Sequence, residues 1–306
     1  MAGGRLIRVF DEDAWKRTVY LIQQGQCTPF IGAGASAEHV PVAGDLAAVL
    51  AGEYGFPFDE DRDLARVTQF AAVREGSRLY IKKRFADDMF ASAPLPDFRA
   101  ADEPHALLAD LNLPVYVTTN YDDCMFEALA DRGRSPQRAI CPWYTNDPAE
   151  VEEATSLFRE SAGYNPDSSR PIVYHLHGHH GTPESLVLTE DDYIDFLVRV
   201  SGDPDLLPPV IRKSLRSRML LFVGYSLADW TFRVIFRGLL SARPLHAGYP
   251  HVSVQLLPPS ASGAADDRPL RIQEYLDRYF EMQSISICWM TAREFSAELR
   301  GRWQTR

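Results

Sequence analysis

A chain of 306 residues that is 45% hydrophobic can bury one large core or two modest ones. Its formal charge of -10 at pH 7 offers nucleic acid no general attraction, which sets direct nucleic-acid binding aside. Apolar runs such as MLLFVGY and HVSVQLL fall far short of the ~20 residues that cross a bilayer, so no membrane partner is expected.

In chain order, a leading helix is predicted over Asp11 to Gln24, with Gly25 just past it as a stop. CTPFIG (27–32) reads as a buried strand followed by a helix from Asp45 to Tyr54. PVYVTT (114–119) precedes a helix from Asp122 to Ala130, and PIVYHLH (171–177) is a third strand. MLLFVG (219–224) precedes Asp229 to Leu240, HVSVQLL (251–257) precedes Leu270 to Phe280, and SISICWM (284–290) precedes Ala292 to Arg302. Strand then helix, repeated, implies an α/β, Rossmann-like, doubly wound and mostly parallel six-stranded sheet covered on both faces. The chain reads as a single domain over 1–306. Within it, 56–111 form a helical insert or small subdomain, and 140–170 make a surface excursion rich in Pro, Asp and Ser. The basic run Ile211 to Arg218 reads as a solvated helix face. No charged-then-apolar leader opens the sequence, so a cytoplasmic location is expected. Cys27, Cys124, Cys141 and Cys288 have no CxxC spacing and are expected as reduced core residues.

In such a sheet, ligands lie outside the carboxyl ends of the strands, and the chemistry-bearing residues follow strands here. Gly32-Ala33-Gly34-Ala35-Ser36 opens like a dinucleotide fingerprint, although the third glycine is absent and Ala37 or Gly44 would have to replace it. A tight turn needing φ > 0 explains Gly32 and Gly34 equally well. Thr118-Thr119-Asn120-Tyr121-Asp122-Asp123 follows the second strand. Asp122 or Asp123 can be a helix cap, while Asn120 can hold a water or a ribose hydroxyl. His175-Leu176-His177-Gly178 ends the third strand, and Gly224-Tyr225-Ser226-Leu227-Ala228-Asp229 the fourth.

Taken together, GAGAS, TTNYD, HLHG and GYSLAD resemble the sirtuin superfamily, and within it the bacterial sirtuin-like branch of NAD+-consuming effectors of antiphage defence. The resemblance covers residues 27 to 290. It implies NAD+ as substrate, with Gly32, Ala33, Gly34, Ser36, Thr119, Gly224 and Ser226 binding it and Asn120, His177 and Asp122 as the catalytic set. It also implies control by a homo-oligomer or by a separately encoded sensor partner, such as an Argonaute-like protein or a hexameric motor ATPase. Two departures narrow the activity. No paired cysteines exist to build the four-cysteine zinc module of the protein-deacylating members. Their Gly-Ile-Pro-Asp-Phe-Arg segment is replaced by Glu38 to Asp45, without the Phe-Arg pair of the flap that shields the reactive ribose. Hydrolysis to nicotinamide and ADP-ribose is therefore expected over deacylation, with no metal. A sensor that binds NAD+ or ADP-ribose without turnover is the alternative from another class.

The four histidines of VYHLHGHHG sort accordingly. On an extended strand His175 and His177 share a face, and Gly178 then breaks the alternation. His177, titrating near neutrality, is the expected base. His175 is expected as core or support, and His179 and His180 as residues at the pocket rim. His39, His105, His246 and His251 default to caps or surface. Thr189 before Glu190-Asp191-Asp192 reads as a helix N-cap, and Trp143 and Tyr144 read as core aromatics.

Overall fold

The structure, a computed structural model, describes residues 10–40, 43–90, 94–159, 163–225, 250–256 and 268–304. In chain order these form α1 (Glu12–Gln23), β1 (Cys27–Ile31), α2 (Ala43–Tyr54), α3 (Leu64–Glu75), α4 (Arg78–Phe90), α5 (Pro104–Asp110), β2 (Val115–Thr118) and α6 (Cys124–Asp131). There follow β3 (Gln137–Ile140), α7 (Pro148–Thr155), β4 (Ile172–His175), α8 (Glu190–Gly202), α9 (Pro209–Ser217), β5 (Met219–Val223), β6 (His251–Gln255), α10 (Arg268–Glu281), β7 (Ile285–Trp289) and α11 (Ala292–Gln304).

Every residue of β1, β2, β4, β5 and β6 is buried. That is why these strands show up as unbroken apolar runs: a parallel strand roofed by helices has no wet face. They pair in parallel in the order β3-β4-β2-β1-β5-β6-β7. Among the described residues the sheet thus has seven strands where six are predicted. The added one, β3, is an edge strand with the partly exposed pattern Gln-Arg-Ala-Ile, and it carries no apolar run. Successive strand residues face opposite cores. Phe30, Val117, Tyr174 and Phe222 pack with Phe196, Ile211 and Phe280, while Ile31, Tyr116, Val173 and Leu221 pack with Ile22, Leu107, Leu129 and Phe295. All four cysteines are buried and unbridged. Trp143 is a core residue whose indole N–H donates to the Ser185 carbonyl. The helix predicted over Asp229 to Leu240 lies outside the described residues. Among the described residues no helix is long and apolar enough to cross a membrane.

Helices α2, α3 and α4 build a separate apolar cluster with Leu186 and Leu188. One buried ion pair fastens them to α8. Lys82 of α4 reaches the Asp192 carboxylate at 2.8 Å, over the Trp143 ring at 5.0 Å. Thr189 is the N-cap of α8 as expected, and Asp192 closes a capping box with it. Burial holds the Lys82 ammonium below its ordinary pKa, against the upward pull of Asp192. Lys82→Met is therefore expected to cost about 3 kcal/mol, because it strands a buried carboxylate that only Arg78, at 3.6 Å, could then neutralise. Urea midpoints of the two proteins measure this, and equal midpoints would contradict it.

Candidate active site

β1 lies between β2 and β5, and the chain changes direction across the sheet at that point. The carboxyl ends of these strands open into a cavity of about 750 Å³, roofed by α2 to α4 through Leu46, Leu64, Phe85 and Phe90. Ala33, Gly34, Ser36, Thr119, Asn120, Asp122, His177 and Gly224 line this one cavity. Gly32 lies just behind the lining, and Ser226 lies outside the described residues.

The glycines owe their place to a close approach between two strand ends. Gly32 has φ -120 and Gly34 has no positive φ, so the tight-turn explanation does not hold. A Cβ on Gly34 would stand 2.9 Å from the Gly224 Cα, and one on Gly32 2.8 Å from the Gly224 oxygen. Gly224 is the residue with the left-handed backbone, at φ +81. Four N–H groups of the first turn are already engaged: Gly32 to Val223, Gly34 to Gly224, Ala35 to Gly32 and Ser36 to Ala33. A phosphate lying here would meet glycine and alanine surface at close range, not a ring of free donors.

Asn120 follows β2 and is 7% exposed. Its amide nitrogen donates to the Gly32 carbonyl and to Ser36 Oγ, both at 3.2 Å. Because a carbonyl only accepts, the amide orientation is fixed, and Oδ1 is the end left to accept from a water or a ribose hydroxyl. Asp122 makes two hydrogen bonds, while the N-cap position of α6 falls to Asp123. Its Oδ1 accepts from the Cys124 N–H at 3.0 Å at the start of α6, and its Oδ2 accepts from Ser36 Oγ at 2.9 Å. Behind Ser36 stands a pair that local sequence reasoning missed. His105 Nε2 lies 3.4 Å from Ser36 Oγ, and its Nδ1 is 2.8 Å from Glu103 Oε1. Burial pushes the Glu103 carboxyl up, but the imidazole and nearby N–H groups more than offset it, and its pKa lies below the ordinary range. The local signal was present: Glu103 is the N-cap of α5, with Pro104 at its first position.

The histidines depart from expectation. β4 ends at His175, and residues 176 and 177 form a turn, so strand alternation does not relate His175 to His177. His177 nonetheless reaches the cavity. It is 5% exposed and packs edge-on against Tyr193 and Phe196, and its Nε2 has no hydrogen-bond partner. Burial lowers its pKa to about 3, so it does not titrate near neutrality. His175 supports the site, with Nδ1 donating to the Asn120 carbonyl at 3.1 Å. His179 and His180 do not line the cavity. Both hold the Asp123 carboxylate at 3.0 Å, joined there by Arg138, and so tie the turn after β4 to the start of α6. His105 and His251, expected as caps or surface, are buried, and His246 lies outside the described residues.

Among the described residues, two groups could converge on a cation: His105, Asp122 and Cys124, and Asp123, His179 and His180. Neither donor set is poised for one. Burial holds the Cys124 thiol far above its ordinary pKa. His179 Nδ1 accepts the Gly181 N–H at 3.0 Å, which puts the ring proton on the Nε2 that faces Asp123. At the far end of the cavity Arg293 of α11 is paired with Glu38 at 2.6 Å and Asp102 at 2.8 Å.

The family described as SIR2-like domain matches residues 114–280, more than half of the chain. Curated relatives called NAD(+) hydrolase ThsA come from Acinetobacter baumannii, Enterococcus faecium and Bacillus cereus. They are each 26% identical over 222, 218 and 239 residues, which are 70%, 70% and 78% of this chain. Those stretches are 39%, 40% and 44% of the relatives, so the chain spans about two fifths of the length of the proteins it matches. A solved structure described as "Structural Basis for the Mechanism and Regulation of Sir2 Enzymes" aligns with 97% of this chain and 100% of that chain, at 12% identity and a TM-score of 0.42.

Proposed function

Because the chain belongs to the SIR2-like domain family, we propose that its cavity takes NAD+ and hydrolyses the nicotinamide glycosidic bond, giving nicotinamide and ADP-ribose. The observation that carries this reading is the buried, unpartnered Nε2 of His177 in the same cavity as Asn120. A buried polar atom without a partner is a standing cost unless a ligand or water supplies one. The names of the relatives point to the same reaction.

The chemistry needs little else. As the C1′–N bond breaks, its electron pair leaves with nicotinamide and positive charge spreads over the ribose ring. A neutral imidazole does not repel that charge, whereas an imidazolium would. Asn120 Oδ1 orients the water or a ribose hydroxyl. The water oxygen bonds to C1′ and its proton passes to His177 Nε2, then to solvent. The Asp122 carboxylate adds negative charge beside the ring. We extend the reading to a cytoplasmic effector of antiphage defence, silent until a homo-oligomer or a separately encoded sensor activates it. Unrestrained NAD+ loss would harm the host.

Nicotinamide release by the wild type, Asn120→Ala and His177→Ala tests this. Each substitution is expected to lower turnover about a hundredfold while ADP-ribose affinity stays within a few fold. Full turnover in His177→Ala would remove it as the base. O-acetyl-ADP-ribose formed only when an acetylated peptide is added would make the chain a deacylase, and NAD+ binding without nicotinamide release would make it a sensor.

A further inference from the structure

We propose that Glu103 and His105 are a positioning pair that gives the Ser36 hydroxyl a second acceptor, so that Asp122 can be released to a ribose hydroxyl of the ligand. The inference rests on the reading of the cavity as a site for NAD+ and ADP-ribose.

Ser36 is 1% exposed and has one hydroxyl proton. Two atoms can take it: Asp122 Oδ2 at 2.9 Å and His105 Nε2 at 3.4 Å. Asn120 Nδ2 donates to the same oxygen, which fixes the oxygen and leaves its proton to swing between the two. With the cavity empty the nearer acceptor holds it. A ribose hydroxyl arriving at Asp122 must donate to that carboxylate. Without another acceptor the displaced Ser36 proton would be buried and unpaired, and binding would weaken accordingly.

His105 can accept only if its Nε2 carries no proton, and in the neutral ring Glu103 fixes the proton on the other nitrogen. One Glu103 oxygen accepts from the Ala106 N–H and the other faces His105 Nδ1. Both are acceptors, so the neutral ring must place its proton on Nδ1. Both residues are buried, at 0% and 1% exposure, far more enclosed than a helix cap requires.

Glu103→Gln inverts this arrangement at almost constant shape. The Ala106 N–H still needs an oxygen, so the new amide group faces Nδ1 and donates, and the ring proton moves to Nε2. The pair can then no longer accept from Ser36. Affinity for ADP-ribose, measured by calorimetry, is expected to fall roughly tenfold in Glu103→Gln. Affinity for ADP, which lacks the second ribose, should stay within about twofold. In the Ser36→Ala background Glu103→Gln should have no further effect, since no hydroxyl proton remains to be rehoused. Equal loss for ADP and ADP-ribose, or a loss that persists without Ser36, would show a merely structural role and overturn the proposal. If Glu103→Gln does not fold, imidazole ¹⁵N shifts of the wild type decide. Addition of ADP-ribose should shift His105 Nε2 towards a hydrogen-bonded acceptor value with Nδ1 still protonated, and an unmoved Nε2 overturns it. A wild type that binds ADP-ribose but releases no nicotinamide removes the hydrolase reading and leaves this inference standing. One that binds neither ligand removes both.

Discussion

Gly224→Ala is expected to cost more than about 4 kcal/mol of stability, under conditions where Gly76→Ala costs about 1 kcal/mol. Both glycines have left-handed backbones, at φ +81 and +68. They differ in what a methyl group would meet. At Gly76, just past α3, nothing lies within 4 Å. At Gly224 the new carbon would stand 2.2 Å from the Ala35 nitrogen and 2.5 Å from the Gly32 oxygen, both backbone atoms that cannot rotate away. To make room, the ends of β1 and β5 would have to part, breaking the Gly32 N–H bond to Val223 and the Gly34 N–H bond to Gly224, both 2.9 Å. The strain, the two lost bonds and the opened core together exceed about 4 kcal/mol, much of the margin of an ordinary domain. Thermal melts followed by circular dichroism compare the two variants. Melting of Gly224→Ala close to Gly76→Ala would mean that the strand ends do not meet as described.

Lowering the pH from 7 to 5 is expected to remove about 5 kcal/mol of stability. Buried histidines whose pKa values lie far below the ordinary one are the main cause. Burial pushes His175 and His177 down to about 3 and His251 to about 4, from an ordinary value of 6.5. Above pH 6.5 neither the folded nor the unfolded chain protonates these rings, and they cost nothing. Between 6.5 and the folded values only the unfolded chain takes up the protons, so stability falls as the pH falls. Each ring contributes at most about 1.4 kcal/mol per pH unit. His251 shows the contact at stake, since its Nδ1 accepts the Leu220 N–H at 3.0 Å and cannot do so once protonated. Asp123 and Glu103, both held below their ordinary values, extend the loss at still lower pH. Urea unfolding at intervals from pH 7.5 to 4.5 gives the slope, and His251→Asn, which keeps an acceptor, should remove about a third of it. A flat profile over that range would rule out burial of neutral imidazoles.

The parts of the fold that could be read in the sequence are those where burial leaves a composition signal. Strands β1, β2, β4, β5, β6 and β7 fall inside the six apolar runs, because helices cover both faces of a parallel sheet. β3 was invisible for the opposite reason: as a half-wet edge, Gln137 to Ile140 has no apolar pattern. Within the site, residues that follow strands were readable, since the carboxyl edge gathers whatever lies there. Glu103 caps α5 and His105 lies in its first turn, and they reach Ser36 only through the tertiary fold. The same holds for His179 and His180, whose partner Asp123 is 56 and 57 residues away. The ionisation of His177 is not legible in the sequence, because the spacing of residues does not report the Tyr193 and Phe196 rings packed around it.

β1 sits at the middle of the sheet, yet its neighbours are distant in the chain: Phe30 pairs with Val117 on one side, and Cys27 pairs with Met219 on the other. During synthesis this strand, wholly buried in the folded protein, therefore leaves the ribosome with both edges bare, and one stays bare until residues 219–223 have emerged. The nascent chain must be shielded over that interval, and folding to the native sheet is a late, long-range event that growing the protein more slowly, or with more chaperone, will favour.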